Sequence, residues 1–92
     1  LKAVLTYRTT IDGKEVEQTR LFDTEKAKKI CDVTNTFDYK VQEIYITGKD
    51  VLFIYNIGSK KLEVADQKKC KEWIGENEPD KYIKFFGEVE EG

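Results

Sequence analysis

Residues 1–10, LKAVLTYRTT, alternate in polarity. Leu1, Ala3, Leu5 and Tyr7 point one way, Lys2, Thr6 and Arg8 the other, with Val4 the exception. A period of two with one apolar face predicts a strand. Asp12-Gly13 follows. A type I′ turn needs φ > 0 at both central positions, and this pair suits it. With that turn setting the register, Arg8 faces Glu17, Thr6 faces Thr19 and Val4 faces Leu21. Each is a favourable cross-strand pair. The chain therefore opens with a β-hairpin.

The next segment changes period. Ala27, Ile30, Cys31 and Thr34 fall on one helical stripe, and Lys26, Lys28 and Lys29 lie off it. Asp23 or Thr24 is placed to cap, and Glu25 suits the first turn of a helix dipole. This pattern predicts a helix from about residue 24 to Asn35.

Alternation returns at 39–47, YKVQEIYIT, and at 51–57, VLFIYNI, joined by Gly48-Lys49-Asp50. A three-residue loop pairs Thr47 with Val51, Tyr45 with Phe53 and Ile44 with Ile54. That register sorts the side chains into an aliphatic face (Ile44, Ile46, Leu52, Ile54) and an aromatic one (Val41, Tyr45, Val51, Phe53, Tyr55, Ile57). A slip of one residue would mix them. Gly58-Ser59 turns into KKLEVA, whose Leu62 and Val64 extend the aromatic face. Asp66 then caps a helix over 67–75 with Cys70, Trp73 and Ile74 on its apolar stripe. GENEPD interrupts, and Pro79 suits the first turn of a last helix carrying Tyr82, Ile83 and Phe86, stopped by Gly87.

The expected fold class is α+β: an antiparallel sheet of about five strands, order ββα-βββ-αα, with two to three helices packed on it. Residues 1–87 form one domain and 88–92 an acidic, frayed C-terminal tail. A compact chain of 92 residues has a radius of gyration of about 12 Å.

The order α-β-β-β-α over residues 24–76 resembles that of a double-stranded-RNA-binding domain. Lys68, Lys69 and Lys71 open the last helix, where that family places phosphate-binding lysines. The strand-connecting loops are short, the preceding hairpin has no counterpart and the net charge is −2.

Composition narrows the chemistry. There is no histidine and one serine, Ser59. Histidine is the commonest acid–base side chain and metal ligand, and serine the usual acyl-transfer nucleophile. Cys31 and Cys70 are too few for a structural zinc site, and each falls on the apolar side of a predicted helix. Buried, reduced thiols are expected. No phosphate-cradling glycine motif occurs. The expectation is no catalytic residue, no cofactor and no metal.

Charge adds less. The 16 basic residues include only two arginines, Arg8 and Arg20, against 18 acidic residues. An Arg-poor, slightly acidic chain is a poor candidate for base or phosphate recognition. No apolar run approaches the ~20 residues a membrane span needs, and no charged leader precedes an apolar stretch. A cytoplasmic location is expected. The Lys-, Ile- and Tyr-rich usage suggests a bacterial or phage source.

Both sheet faces are apolar and need cover. A face left open would be an interaction surface, formed by Val41, Tyr45, Phe53 and Tyr55 together with Trp73. The expected function is a non-enzymatic protein-interaction or regulatory domain, with a protein partner or a second copy favoured over nucleic acid. The alternative is a nucleic-acid-binding module contacting phosphates through Lys60, Lys61, Lys68, Lys69 and Lys71. No membrane or small-molecule partner is implied.

Overall fold

The computed structural model describes all 92 residues. Strands β1 (Lys2–Ile11) and β2 (Lys14–Asp23) form the opening hairpin. Its turn has Asp12 at φ 51° and Gly13 at φ 78°. Arg8 faces Glu17, Thr6 faces Thr19 and Val4 faces Leu21, the register the turn requires. The Thr6 and Thr19 hydroxyls meet at 2.9 Å.

β3 (Lys28–Thr34), β4 (Lys40–Ile46), β5 (Leu52–Asn56) and β6 (Lys61–Val64) make a second, four-stranded antiparallel sheet in sequential order. Thr47 N–H donates to Val51 O across the β4–β5 turn, and Tyr45 pairs with Phe53, Ile44 with Ile54. Helices α1 (Gln67–Asn77) and α2 (Pro79–Phe86) close the chain. The fold is α+β, with six antiparallel strands in two sheets and two C-terminal helices.

One expected element is wrong. Residues 24–35 do not form a helix; they hold a turn and β3. The capping chemistry at Asp23 is present, but it serves one turn. Its carbonyl accepts from Lys26 and Ala27 N–H and its Oδ1 from Glu25 N–H. After that the backbone pairs with β4. A β-bulge lies between Lys29 and Cys31. It sends the consecutive residues Ile30 and Cys31 into the core, at 2% and 7% exposure. A bulge breaks the period of two, and two adjacent apolar residues then imitate a helical stripe. The β-branched Ile30, Val33 and Thr34 favour the strand. Cys31 accordingly sits on a strand; Cys70 is on α1, and both thiols are free and share one core cluster.

Layering follows from the two faces. The aliphatic face, with Ile44, Ile46 and Leu52, joins Ile30, Cys31, Cys70 and Ile74 under the helices. The aromatic face, with Tyr45, Phe53 and Leu62, joins Phe22 under the hairpin, flanked by Ala3, Leu5 and Tyr7. Asp66 caps α1 by accepting from Lys69 N–H at 3.1 Å. The Gln67 side chain docks on β5: its Oε1 accepts from Leu52 N–H at 2.8 Å and its Nε2 donates to Leu52 O at 2.9 Å. Gly75 lets α2 approach closely, since a Cβ there would stand 3.3 Å from the Tyr82 ring. No helix is long and apolar enough to cross a membrane.

Candidate functional site

The aromatic face divides into a covered part and an open part. Under the hairpin, Phe53 is fully buried and its ring stacks on Tyr45 at 5.3 Å. Phe22 descends from β2 to reach Phe53 at 5.2 Å, and Tyr7 meets Phe22 edge-on at 5.8 Å. Tyr45 and Phe53 were expected at an interface. They are instead core residues, because the chain's own hairpin supplies the cover.

The five expected interface residues do not come together. Trp73 lies on α1 and packs against the aliphatic core on the opposite side of the sheet. Tyr55 is half-buried at the edge of the hairpin's cover. Val41 lies beyond it, 38% exposed.

A charged cluster marks the border. Glu43 pairs with Asp32 on β3 and Tyr55 on β5, so the three side chains share the aromatic face. Its Oε2 accepts from Lys40 Nζ at 2.8 Å and Lys29 Nζ at 3.1 Å, and its Oε1 from the Tyr45 hydroxyl at 2.8 Å. The Lys40 bond, with those from Tyr45 and Lys29, holds the Glu43 carboxyl down to about 2 against the cost of burial. Burial first, then the bond to Glu43, pushes the Tyr45 phenol up to about 12. Lys29 also lies 2.6 Å from Asp32 Oδ1. Its ammonium is held well above the usual lysine range, chiefly by Asp32. Every charge here is matched, so the cluster is a brace rather than a reactive centre.

Beyond the brace the face is open. The turn from Asn35 to Tyr39 carries Phe37 and Tyr39, 78% and 70% exposed. Asn35 holds this turn: its Oδ1 accepts from Phe37 and Tyr39 N–H, and its own N–H donates to Tyr39 O. Asp38 takes the left-handed conformation at φ 63° that completes the turn. Val41 and Ile57 continue the same end, joined by Ile57 N–H to Val41 O at 3.1 Å. Phe37 and Tyr39 were missed in the sequence. Tyr39 stands one strand period before Val41, but Phe37 lies in the turn, where the left-handed Asp38 breaks the alternation, so no strand pattern marks it.

The five candidate phosphate-contacting lysines also separate. Lys61 pairs with Asn56, and Lys60 sits in the adjoining turn. Lys68, Lys69 and Lys71 lie on α1, whose start is tied to Leu52 at the other end of β5. Lys71 is turned toward α2, its Nζ 4.9 Å from the Phe86 ring centroid. No group of three or more Cys, Asp or Glu side chains is placed to hold a metal ion. Burial pushes the Cys31 and Cys70 thiols up to about 11 each.

Compared with known proteins, the chain matches no family model, no curated protein and no solved structure.

Proposed function

We propose that this chain is a non-enzymatic binding domain that engages another protein, or a second copy of itself, through the open end of its aromatic face. The observation that carries this reading is the pair Phe37 and Tyr39. Two large aromatic side chains stand in solvent on a turn whose hydrogen bonds are satisfied internally. Aromatic anchors dominate interface energetics, and a turn already held in shape loses little freedom on binding. Val41 and Ile57 extend the apolar ground beside them.

Total surface supports the reading. A compact monomer of 10.7 kDa exposes about 5500 Å²; this chain exposes 6983 Å², with a radius of gyration of 13.8 Å. Part of the excess belongs to the extended tail after Gly87. The whole excess is larger than the roughly 800 Å² per partner that an ordinary interface removes.

The test compares the wild type with a Phe37→Asp/Tyr39→Asp variant by sedimentation and by affinity capture from the source cell. A dimer or a stoichiometric partner held by the wild type and lost by the variant, at equal melting temperature, is the expected result. A monomeric wild type with no partner, or a partner that holds both forms equally, overturns it. The five-lysine alternative has less support, because those lysines fall at two ends of β5.

A further inference from the structure

The opposite end of the sheet, around the β4–β5 turn, carries an excess of basic residues, whereas the rest of the chain carries an excess of acidic ones. Two open grooves, of about 1170 and 680 Å³, flank this turn and share Thr47, Gly48 and Asp50 in their walls. The larger runs between the hairpin and the start of α1, and its basic residues are Arg8, Arg20, Lys49 and Lys68. The smaller lies between the β3 start and the end of α2, and its basic residues are Lys26, Lys28, Lys29 and Lys84. Half of the chain's 16 basic residues are therefore here, including both arginines. Of its 18 acidic residues only Asp50 and Asp66 line either groove.

Most of these cations are unspent. Arg8 has Glu15 at 3.8 Å, and Lys29 belongs to the Glu43 brace. Arg20, Lys26, Lys28, Lys49, Lys68 and Lys84 make no ion pair and are all exposed. Arg20 donates only to the Thr19 carbonyl, and Lys84 leans on the Phe85 ring. On the acidic side, Asp66 is occupied capping α1. Asp23 and Glu25 precede Lys26 in the chain but line neither groove.

A ridge between two basic grooves complements a groove between two anionic ridges. We propose that this end binds duplex DNA, with the exposed tip of the β4–β5 turn at the mouth of the major groove and one phosphate backbone lying along each basic groove. The major groove, about 12 Å wide, has room for the tip of one turn. Gly48 keeps the turn slim, and Lys49 is exposed on it. The lysines act as point charges on phosphates, so the contact is one of backbone and shape. This site uses the opposite end of the sheet from Phe37 and Tyr39 and does not depend on the protein-binding reading.

Fluorescence anisotropy of a labelled 20-base-pair duplex tests it. With about six phosphate contacts, affinity should fall about 1000-fold between 50 and 200 mM salt. Lys49→Glu/Lys68→Glu and Lys26→Glu/Lys84→Glu should each weaken binding at least tenfold, and exposed positions keep the fold intact. Lys60→Glu/Lys61→Glu carries the same charge change at the other end and should leave affinity within about twofold. Absence of binding at 50 mM salt overturns the proposal. So does equal loss in all three variants, which would report net charge alone. Tighter binding of duplex RNA, of a single strand or of polyglutamate than of duplex DNA also overturns it, the last in favour of an acidic protein partner.

Discussion

The hairpin and the helix pair cover opposite faces of the same four strands, and different forces attach them. The helices are tied by hydrogen bonds as well as packing. Gln67 joins α1 to the Leu52 backbone, and Ala65 N–H donates to Leu52 O. The hairpin makes no hydrogen bond to the four-stranded sheet; its links run within β1 and β2 or into the Asp23 turn. What holds it down is Phe22 on Phe53, with Ala3, Leu5 and Tyr7 around them. A cover resting on side-chain packing alone opens more independently than one that shares the sheet's backbone bonds. It also stops where its side chains stop, which leaves Val41, Tyr39 and Phe37 uncovered.

Truncation at the contact between hairpin and sheet breaks this arrangement most directly. Phe53→Ala removes the ring on which Tyr45 and Phe22 both rest and should cost about 3–5 kcal/mol of stability. Urea unfolding measures it. Amide exchange separates the two covers: β1 and β2 should lose protection ahead of β4 and β5. Equal loss in all four strands would show that the hairpin does not open as a separate unit.

Acid should act next most strongly, at the border of the hairpin's cover. The Glu43 carboxyl titrates near 2 in the fold, below its ordinary 4.5. Folding therefore favours the carboxylate. Its contribution is full above about pH 4.5 and fades as pH falls through 2. With the side chain 14% exposed but its lysine partners near 40% exposed, screening reduces the effect to about 2 kcal/mol. The stability gap between wild type and Glu43→Gln should be widest near neutral pH and should close toward pH 2. A gap constant between pH 6 and pH 2 contradicts the brace.

On the helix side the comparable change is smaller. Gln67→Ala leaves Leu52 N–H without its side-chain acceptor and should cost about 1–2 kcal/mol. Unlike Phe53→Ala, it should loosen α1 and leave hairpin protection unchanged. Amide exchange reads both, and loss of hairpin protection in this variant would join the two covers into one unit.

The sequence disclosed these parts unevenly, for physical reasons. The hairpin register was legible because Asp12-Gly13 admits one turn geometry and the cross-strand pairs agree with it. The Tyr45 and Phe53 pairing was legible because a one-residue slip would bury the wrong side chains. Asp66, Pro79 and Gly87 act locally, so they marked the helix ends correctly. β3 was hidden by its bulge at Ile30, a feature set by pairing with a distant strand. Which face the hairpin covers, and how far, depends on the rings of Phe22 and Phe53 meeting across 31 residues of chain. No local pattern encodes that meeting. The face itself was legible while the extent of its cover was not, so the candidate interface joined the buried Tyr45 and Phe53 to the exposed Val41. The basic end escaped notice for the same reason, since Arg20, Lys28, Lys49 and Lys84 are neighbours only in the folded chain.

The smallest expected effect is the sharpest test of covered against open. Phe37→Ala and Tyr39→Ala delete aromatic side chains like that of Phe53, but from the turn that joins β3 to β4 of the same sheet. They are 78% and 70% exposed, so the fold loses little burial, and each should change stability by less than about 0.5 kcal/mol. Asn35 holds the turn through backbone N–H groups, which both substitutions retain. Thermal unfolding at low protein concentration, where any self-association is dissolved, measures the intrinsic effect. A cost above about 1 kcal/mol in that limit would mean that these rings stabilise the single chain, and the argument that they wait for a partner would fail.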